Sequence, residues 1–264
     1  MGLFPPNYNA SGPGVRKDEP RKKGAARFFE ILGRDMGDLF RANVLCAICF
    51  VPALALIFLG ILGRAVLLSA VGGLLGGFLL GPCYAGLHDT ILRALRDEPG
   101  YWWHTYKKAF RHNWKQSLIP GAILGFLLAS QLFMSYFLLL GGQLDVASAV
   151  LICMSVLLTA MIFPFLFSQL VLMELSLPQL FRNSLFLALS HAPRSICAAL
   201  VQIVYWVLIL SFLPYTALWV LLFGFALIEL ITLMIIYPVL DKCFNLEERF
   251  RQQQAQRDAE NRGE

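Results

Sequence analysis

Five long runs without a charged residue occupy most of this chain, and they limit its fold more than any other feature. The runs are Leu45–Leu62, Ala65–Leu87, Gln116–Leu144, Val146–Met173 and Ser195–Ile228. A helix of about 20 apolar residues crosses the hydrocarbon core of a bilayer. Because lipid offers the backbone no hydrogen bonds, apolar runs of this length form helices there. The sequence therefore predicts an all-α polytopic membrane bundle. Its charged fraction of 15% agrees, since soluble domains carry about 25%.

The last of these runs is too long for a single span. It continues past Glu229 as far as Leu240, and Ser195–Leu240 as one helix would be about 69 Å long at a rise of 1.5 Å per residue. That is about twice the thickness of the hydrocarbon core, so the chain must fold back within it. We predict the turn at Pro214, which gives six transmembrane helices in all.

Lysine and arginine are distributed unevenly around these six spans. Of the 22 basic residues, all except Arg64 fall in four segments that a six-span topology places on one side: the tail through Arg41, residues 89–115, residues 174–194 and the tail after Leu240. The positive-inside rule assigns this side to the cytoplasm. Both termini are therefore predicted to be cytoplasmic. The bias also accounts for the net charge of +5 without a nucleic-acid partner.

The chain divides into four parts on this reading. Residues 1–24 are rich in Pro, Gly and Lys and are predicted to be a disordered cytoplasmic tail. Residues 25–41 show apolar and charged residues on different helical faces, which predicts an amphipathic interfacial helix. Residues 42–240 form the six-span membrane domain, and residues 241–264 form a cytoplasmic C-terminal tail. A second interfacial helix is predicted at Tyr101–Trp114, where aromatic and basic residues alternate and suit anionic lipid headgroups.

The second span carries glycines at helical spacing. Gly72 and Gly76 form one small-xxx-small ladder, and Gly73, Gly77 and Gly81 form another. Such ladders let a neighbouring helix approach the backbone closely. We expect these five residues to be helix-packing positions.

One carboxylate lies deep in the membrane. Glu229 falls about halfway along the sixth span, Gln202 lies at a comparable depth in the fifth, and Gln169 lies in the fourth. Ionisable groups at this depth are costly and commonly functional. Two interpretations stay open: a path for a proton, an ion or a sugar, or an interhelical hydrogen bond, for which Gln202 is the expected partner of Glu229.

The remaining motifs do not predict a metal site, a cofactor site or a catalytic site. Cys46 and Cys49 have the C-x-x-C spacing but lie in an apolar helix, so we interpret them, like the other cysteines, as packing residues. All four histidines are predicted on the cytoplasmic side, and His88 is expected to make a local polar pair with Asp89 at a helix end. No phosphate-binding loop and no nucleophile elbow is present in the sequence. We therefore expect no metal, no cofactor and no enzymatic activity.

Several segments resemble the YesL-like family of bacterial integral membrane proteins. The resemblance is carried by Gly12-Pro13-Gly14-Val15, Arg21-Lys22-Lys23, Phe28-Phe29-Glu30-Ile31-Leu32-Gly33-Arg34, Gly81-Pro82-Cys83-Tyr84-Ala85-Gly86-Leu87 and Phe110-Arg111-His112-Asn113-Trp114-Lys115-Gln116. It implies a protein of the bacterial inner membrane with an unknown biochemical role. It also implies a connection with carbohydrate uptake, but no catalytic residues.

Two functions remain as expectations. The first is a non-enzymatic accessory or regulatory partner of a solute uptake system, which would bind transporter subunits. The second is a small-solute or ion-coupled transporter that uses Glu229. The oligomeric state stays open. An intramembrane enzyme would need two polar catalytic groups at one depth, and the sequence predicts no such set.

Overall fold

The protein is built from helices. Its structure, a computed structural model, describes residues 21–98, 100–140, 145–250 and 252. The helices are α1 (Gly24–Leu62), α2 (Val66–Arg96), α3 (Trp102–Leu140), α4 (Val146–Leu172), α5 (Leu177–Ser190), α6 (Ala192–Ser211), α7 (Ala217–Trp219), a π-helical turn (Val220–Gly224) and α8 (Phe225–Phe244).

Six helical segments are long and apolar enough to cross a membrane: α1, α2, α3, α4, α6 and the segment Ala217–Phe244. The predicted all-α fold with six spans is therefore confirmed. The fifth and sixth spans are separated by a turn over residues 212–216, which contains Pro214. A 20-residue α6 is long enough to cross the core.

The two predicted interfacial helices are not separate elements. Residues 25–41 are the first part of the continuous helix α1, and the segment after Tyr101 is the first part of α3. The sequence between Arg41 and Leu45 has no glycine or proline to end a helix. In addition, Ile31 and Leu39 are completely buried in the core, so this part of α1 packs against protein.

The end of the last helix also differs from the sequence prediction. α8 continues to Phe244 and ends at Asn245, which takes the left-handed backbone conformation of a helix cap. The helix therefore continues four residues beyond Leu240, the predicted end of the membrane domain. Residues 1–20, residue 251 and residues 253–264, on which most of the two predicted tails fall, lie outside the described residues.

The second span is packed closely against the first and the third. A Cβ atom on Gly72 would lie 2.7 Å from Cβ of Leu56, and one on Gly76 would collide with Ala53, both on α1. The ladder of Gly73, Gly77 and Gly81 faces α3 instead. The five glycines therefore contact two different helices, α1 on one side of α2 and α3 on the other.

The α3 side of this contact has glycines of its own. A Cβ atom on Gly73 would lie 2.5 Å from the carbonyl oxygen of Gly125, and one on Gly77 would collide with the carbonyl of Gly121. In turn, Gly121 and Gly125 have no room for a side chain because of the α2 backbone. The two helices therefore touch backbone to backbone, which gives close van der Waals contact in lipid.

We predict that Gly77→Leu destabilises the protein, because any side chain at Gly77 forces α2 away from Gly121. Overpacking of a tight contact costs on the order of 1–3 kcal/mol, which thermal unfolding in a mild detergent would detect. Gly37→Leu is the matched control, since a Cβ atom on Gly37 meets no atom within 4 Å. Equal midpoints for the two variants would show that the glycine contact is not as tight as described.

Three arginines from the N-terminal segment close the end of α2. Arg21, Arg27 and Arg34 donate hydrogen bonds to the last three carbonyls of this helix, those of Arg96, Leu95 and Ala94, at 2.8, 3.0 and 2.8 Å. The same three guanidinium groups also bond to the side chain of Asp97. Cations at a helix C-terminus satisfy otherwise unpaired carbonyls and oppose the helix dipole. Some of the basic residues on this side of the bundle therefore hold the N-terminal segment and α1 against α2.

The contact between the three arginines and the end of α2 depends on pH through the carboxyl group of Asp97. Burial works against ionisation of Asp97, but hydrogen bonds from Arg34 and Arg27 outweigh it and lower the pKa of this carboxyl below its ordinary value of 3.8. A carboxyl with a depressed pKa in the folded state contributes stability above its unfolded pKa and loses it as the pH falls.

We therefore expect Asp97→Asn to lower the thermal midpoint at pH 7 and to have a smaller effect near pH 3, which is below the ordinary pKa of 3.8. Unfolding curves of the variant and the wild type at both values measure this. Glu174→Gln serves as a control, because the side chain of Glu174 is 90% exposed. A gap between Asp97→Asn and wild type that stays constant down to pH 3 would contradict the proposed role of the carboxylate.

Candidate functional site

Glu229 on α8 faces two side chains of α2 and is hydrogen-bonded to one of them. It is 3% exposed, and its Oε1 accepts a hydrogen bond from the hydroxyl of Tyr84. Its second oxygen, Oε2, lies 3.6 Å from Nε2 of His88. Tyr84 and His88 are four residues apart and so lie on one face of α2. Two adjacent turns of the second span therefore meet one carboxyl group of the sixth.

The fourth span completes the cluster. Nδ1 of His88 shares a hydrogen bond of 3.4 Å with the hydroxyl of Ser168 on α4. The ring of Phe167 packs edge-on against Tyr84, with 4.8 Å between the ring centroids, and lies 5.6 Å from the ring of His88. Three helices therefore build a polar centre inside an apolar shell. We call Tyr84, His88, Ser168 and Glu229 the buried polar cluster.

A side chain from the first span sets the position of the helix that carries Glu229. The amide group of Asn43 on α1 donates hydrogen bonds to the carbonyls of Val220 and Leu221, at 3.0 and 2.8 Å. Its oxygen accepts from the backbone N–H groups of Phe225 and Ala226, at 2.8 and 2.9 Å. All four backbone groups flank or belong to the π-helical turn, where the ordinary α-helical bonds are interrupted.

Asn43 is completely buried, and its bonds satisfy backbone groups that lipid could not. Glu229 follows Phe225 by about one helical turn. Because Asn43 fixes the start of α8, it also fixes the depth at which the Glu229 carboxyl meets α2.

Two polar atoms of the cluster face each other without a bond. Among the described residues, neither Nε2 of His88 nor Oε2 of Glu229 has a hydrogen-bond partner. A proton on either atom would let the two groups bond after a small closure of the 3.6 Å gap. Without that proton, each atom is a buried acceptor next to another acceptor, which is costly in a low-dielectric core. The cluster is thus suited to hold one proton between its histidine and its carboxyl group.

The other residues that the sequence singled out lie outside this cluster. Gln202, the expected partner of Glu229, makes no bond to it, and Nε2 of Gln202 has no partner among the described residues; that expected pairing is wrong. Gln169 donates a 2.9 Å hydrogen bond to the hydroxyl of Ser184 and so joins α4 to α5.

The interpretation of His88 also needs correction. His88 is completely buried in the bundle, and Asp89 is bonded to Arg93 at 2.8 Å. The expected local pair of His88 with Asp89 is therefore wrong. Adjacent residues on a helix point about 100° apart, so they seldom meet each other. The sequence signal for the observed contacts with Glu229 was the spacing of Tyr84 and His88, which stand at i and i+4 at the end of an apolar run.

Within residues 21–98, 100–140 and 145–250, no group of three or more His, Cys, Asp or Glu side chains could hold a metal ion. Comparisons with protein-family models, with curated proteins and with solved structures give no match for this chain. The chemistry of the site therefore follows from its geometry. That geometry offers a phenol, an imidazole, a hydroxyl and a carboxyl group in contact, away from solvent.

We predict an energetic coupling between Tyr84 and Glu229. A double-mutant cycle of Tyr84→Phe and Glu229→Leu, measured by unfolding in mixed micelles, should give a coupling of about 0.6–1.7 kcal/mol, from the average to the upper end of the values found for interhelical hydrogen bonds in a membrane. Glu229→Gln should be nearly silent, because its amide oxygen still accepts from Tyr84.

The control cycle pairs Gln202→Leu with Glu229→Leu. Since these side chains share no bond, their effects should add within about 0.5 kcal/mol. A coupling larger for Gln202 than for Tyr84 would restore the pairing expected from sequence and refute the observed one.

Proposed function

We propose that this protein is a non-enzymatic protein of the bacterial inner membrane that assembles with, or regulates, a solute uptake system, with carbohydrates as the expected class of solute. The proposal rests on the burial of the polar cluster inside the bundle. Tyr84, His88 and Glu229 are all less than a tenth exposed and are bonded or apposed to one another. This arrangement supports a helical scaffold, since a transport path needs polar groups that face water. The resemblance to YesL-like proteins supports the link with uptake.

The same proposal places both termini and the arginine-rich end of α2 in the cytoplasm. It rests on the uneven distribution of basic residues. On α3, exposed side chains at this end combine two aromatic rings with four cations: Trp103, Lys107, Lys108, Arg111, Trp114 and Lys115. This face suits anionic lipid headgroups, or the cytoplasmic side of a transporter subunit at the membrane surface.

A second candidate function is a proton-coupled or small-solute transporter that uses Glu229. It is favoured by the unsatisfied pair of His88 Nε2 and Glu229 Oε2. Ionisable groups in the membrane interior that face each other commonly mark proton relays. In this case the closed core is one state of a cycle, and a second state would open the cluster to water.

Uptake measurements on the wild type and two variants separate the two functions. In a bacterium that lacks this protein, we expect the wild type and Glu229→Gln to restore sugar uptake equally and to co-purify with the same transporter subunits. The amide cannot exchange a proton but keeps the bond with Tyr84, so only a transporter would lose activity. Glu174→Gln is the matched control at an exposed carboxylate.

Purified protein in proteoliposomes provides the contrary result. Proton or sugar flux by the wild-type protein alone, lost in Glu229→Gln and kept in Glu174→Gln, would overturn the accessory role in favour of the transporter.

A further inference from the structure

The first and second spans bring two cysteines into contact. Sγ of Cys49 on α1 lies 3.2 Å from Sγ of Cys83 on α2. The nearby contact of Gly76 with Ala53 holds the two helices together in this register. A disulfide bond is 2.03–2.05 Å long, so the sulfurs need to approach by only about 1.2 Å to form one. Sequence spacing pointed to Cys46 and Cys49, whereas the structure pairs Cys49 with Cys83.

The two thiols differ in access. Cys83 is buried in the bundle, and Cys49 is partly exposed at its surface. Cys49 follows Arg41, the last charged residue before the first span, by eight residues, or about 12 Å along the helix. The exposed part of Cys49 therefore faces the region that lipid occupies. An oxidant that dissolves in lipid reaches it more readily than one confined to water.

We propose that Cys49 and Cys83 are a redox-active dithiol, which a lipid-soluble quinone oxidises to a disulfide that joins the first and second spans. In this reaction two S–H bonds break and one S–S bond forms. The two electrons and two protons that are released convert the quinone to its quinol. This inference stands apart from the proposed function, because it holds for an accessory protein and for a transporter alike.

The location of the bond gives the oxidation a structural consequence. Cys83 precedes Tyr84, which holds Glu229, and Cys49 lies on the same helix as Asn43, which holds the start of α8. A disulfide between them fixes the two supports of Glu229 relative to each other. Oxidation therefore restricts any relative movement of α1 and α2 next to the buried polar cluster.

The test uses the full-length protein in lipid nanodiscs, treated with a short-chain quinone or with the matching quinol. The protein is then denatured and its thiols are labelled with a maleimide that adds mass. The chain has six cysteines. We expect the quinone to remove two labels from the wild type and the quinol to remove none. Peptide mass spectrometry should find a disulfide between Cys49 and Cys83, and thiol reduction should restore both labels.

Variants identify the pair. Cys49→Ser and Cys83→Ala should each abolish the loss of labels, whereas Cys197→Ser, at an exposed position, should still lose two. Complete labelling of the wild type after quinone treatment would overturn the proposal. So would a disulfide that joins Cys46 to Cys49, or a loss of labels that persists in Cys83→Ala. The peptide analysis of the wild type decides the matter even if a variant does not fold.

Discussion

The close approach of the second span to its two neighbours determines how the helices of this bundle are arranged. On one side Gly76 leaves room for Ala53, and on the other Gly77 leaves room for the backbone at Gly121. In lipid, helix association relies on such van der Waals contact because there is no hydrophobic drive between helices. With α2 held on both sides, its next turns carry Tyr84 and His88 to the surface that faces α4 and α8.

Hydrogen bonds from side chains then satisfy backbone groups at the π-helical turn and at the C-terminal end of α2. Asn43 bonds to four backbone groups around the π-helical turn, and Arg21, Arg27 and Arg34 cap the carbonyl end of α2. Unpaired backbone groups are costly in a membrane protein. Both devices link distant parts of the chain, so they determine how helices are arranged as well as where each one ends. Glu229 depends on both, since one positions α8 and the other fastens α2.

The sequence predicted the elements of this fold better than their contacts. Hydropathy and the excess length of the last run were sufficient for six spans and for a turn within that run, since both follow from bilayer thickness. Pro214 indicated where the turn lies. The spacing of Gly72 to Gly81 marked α2 as a packing helix, but it did not reveal which glycine serves which neighbour. Helix rotation decides that, and it also decides that Glu229 meets Tyr84 and not Gln202. Asn43 gave no local signal, because its partners lie about 180 residues away in the chain.

The hydrogen bond between Tyr84 and Glu229 can be observed directly by solid-state NMR of the protein in lipid. With ¹³C-labelled tyrosine and glutamate, we expect a short-range cross-peak between the ring Cζ of Tyr84 and the carboxyl carbon of Glu229. The peak should disappear in Tyr84→Phe, while the remaining glutamate signals stay in place. A wild-type spectrum without this cross-peak would contradict the packing of α2 against α8.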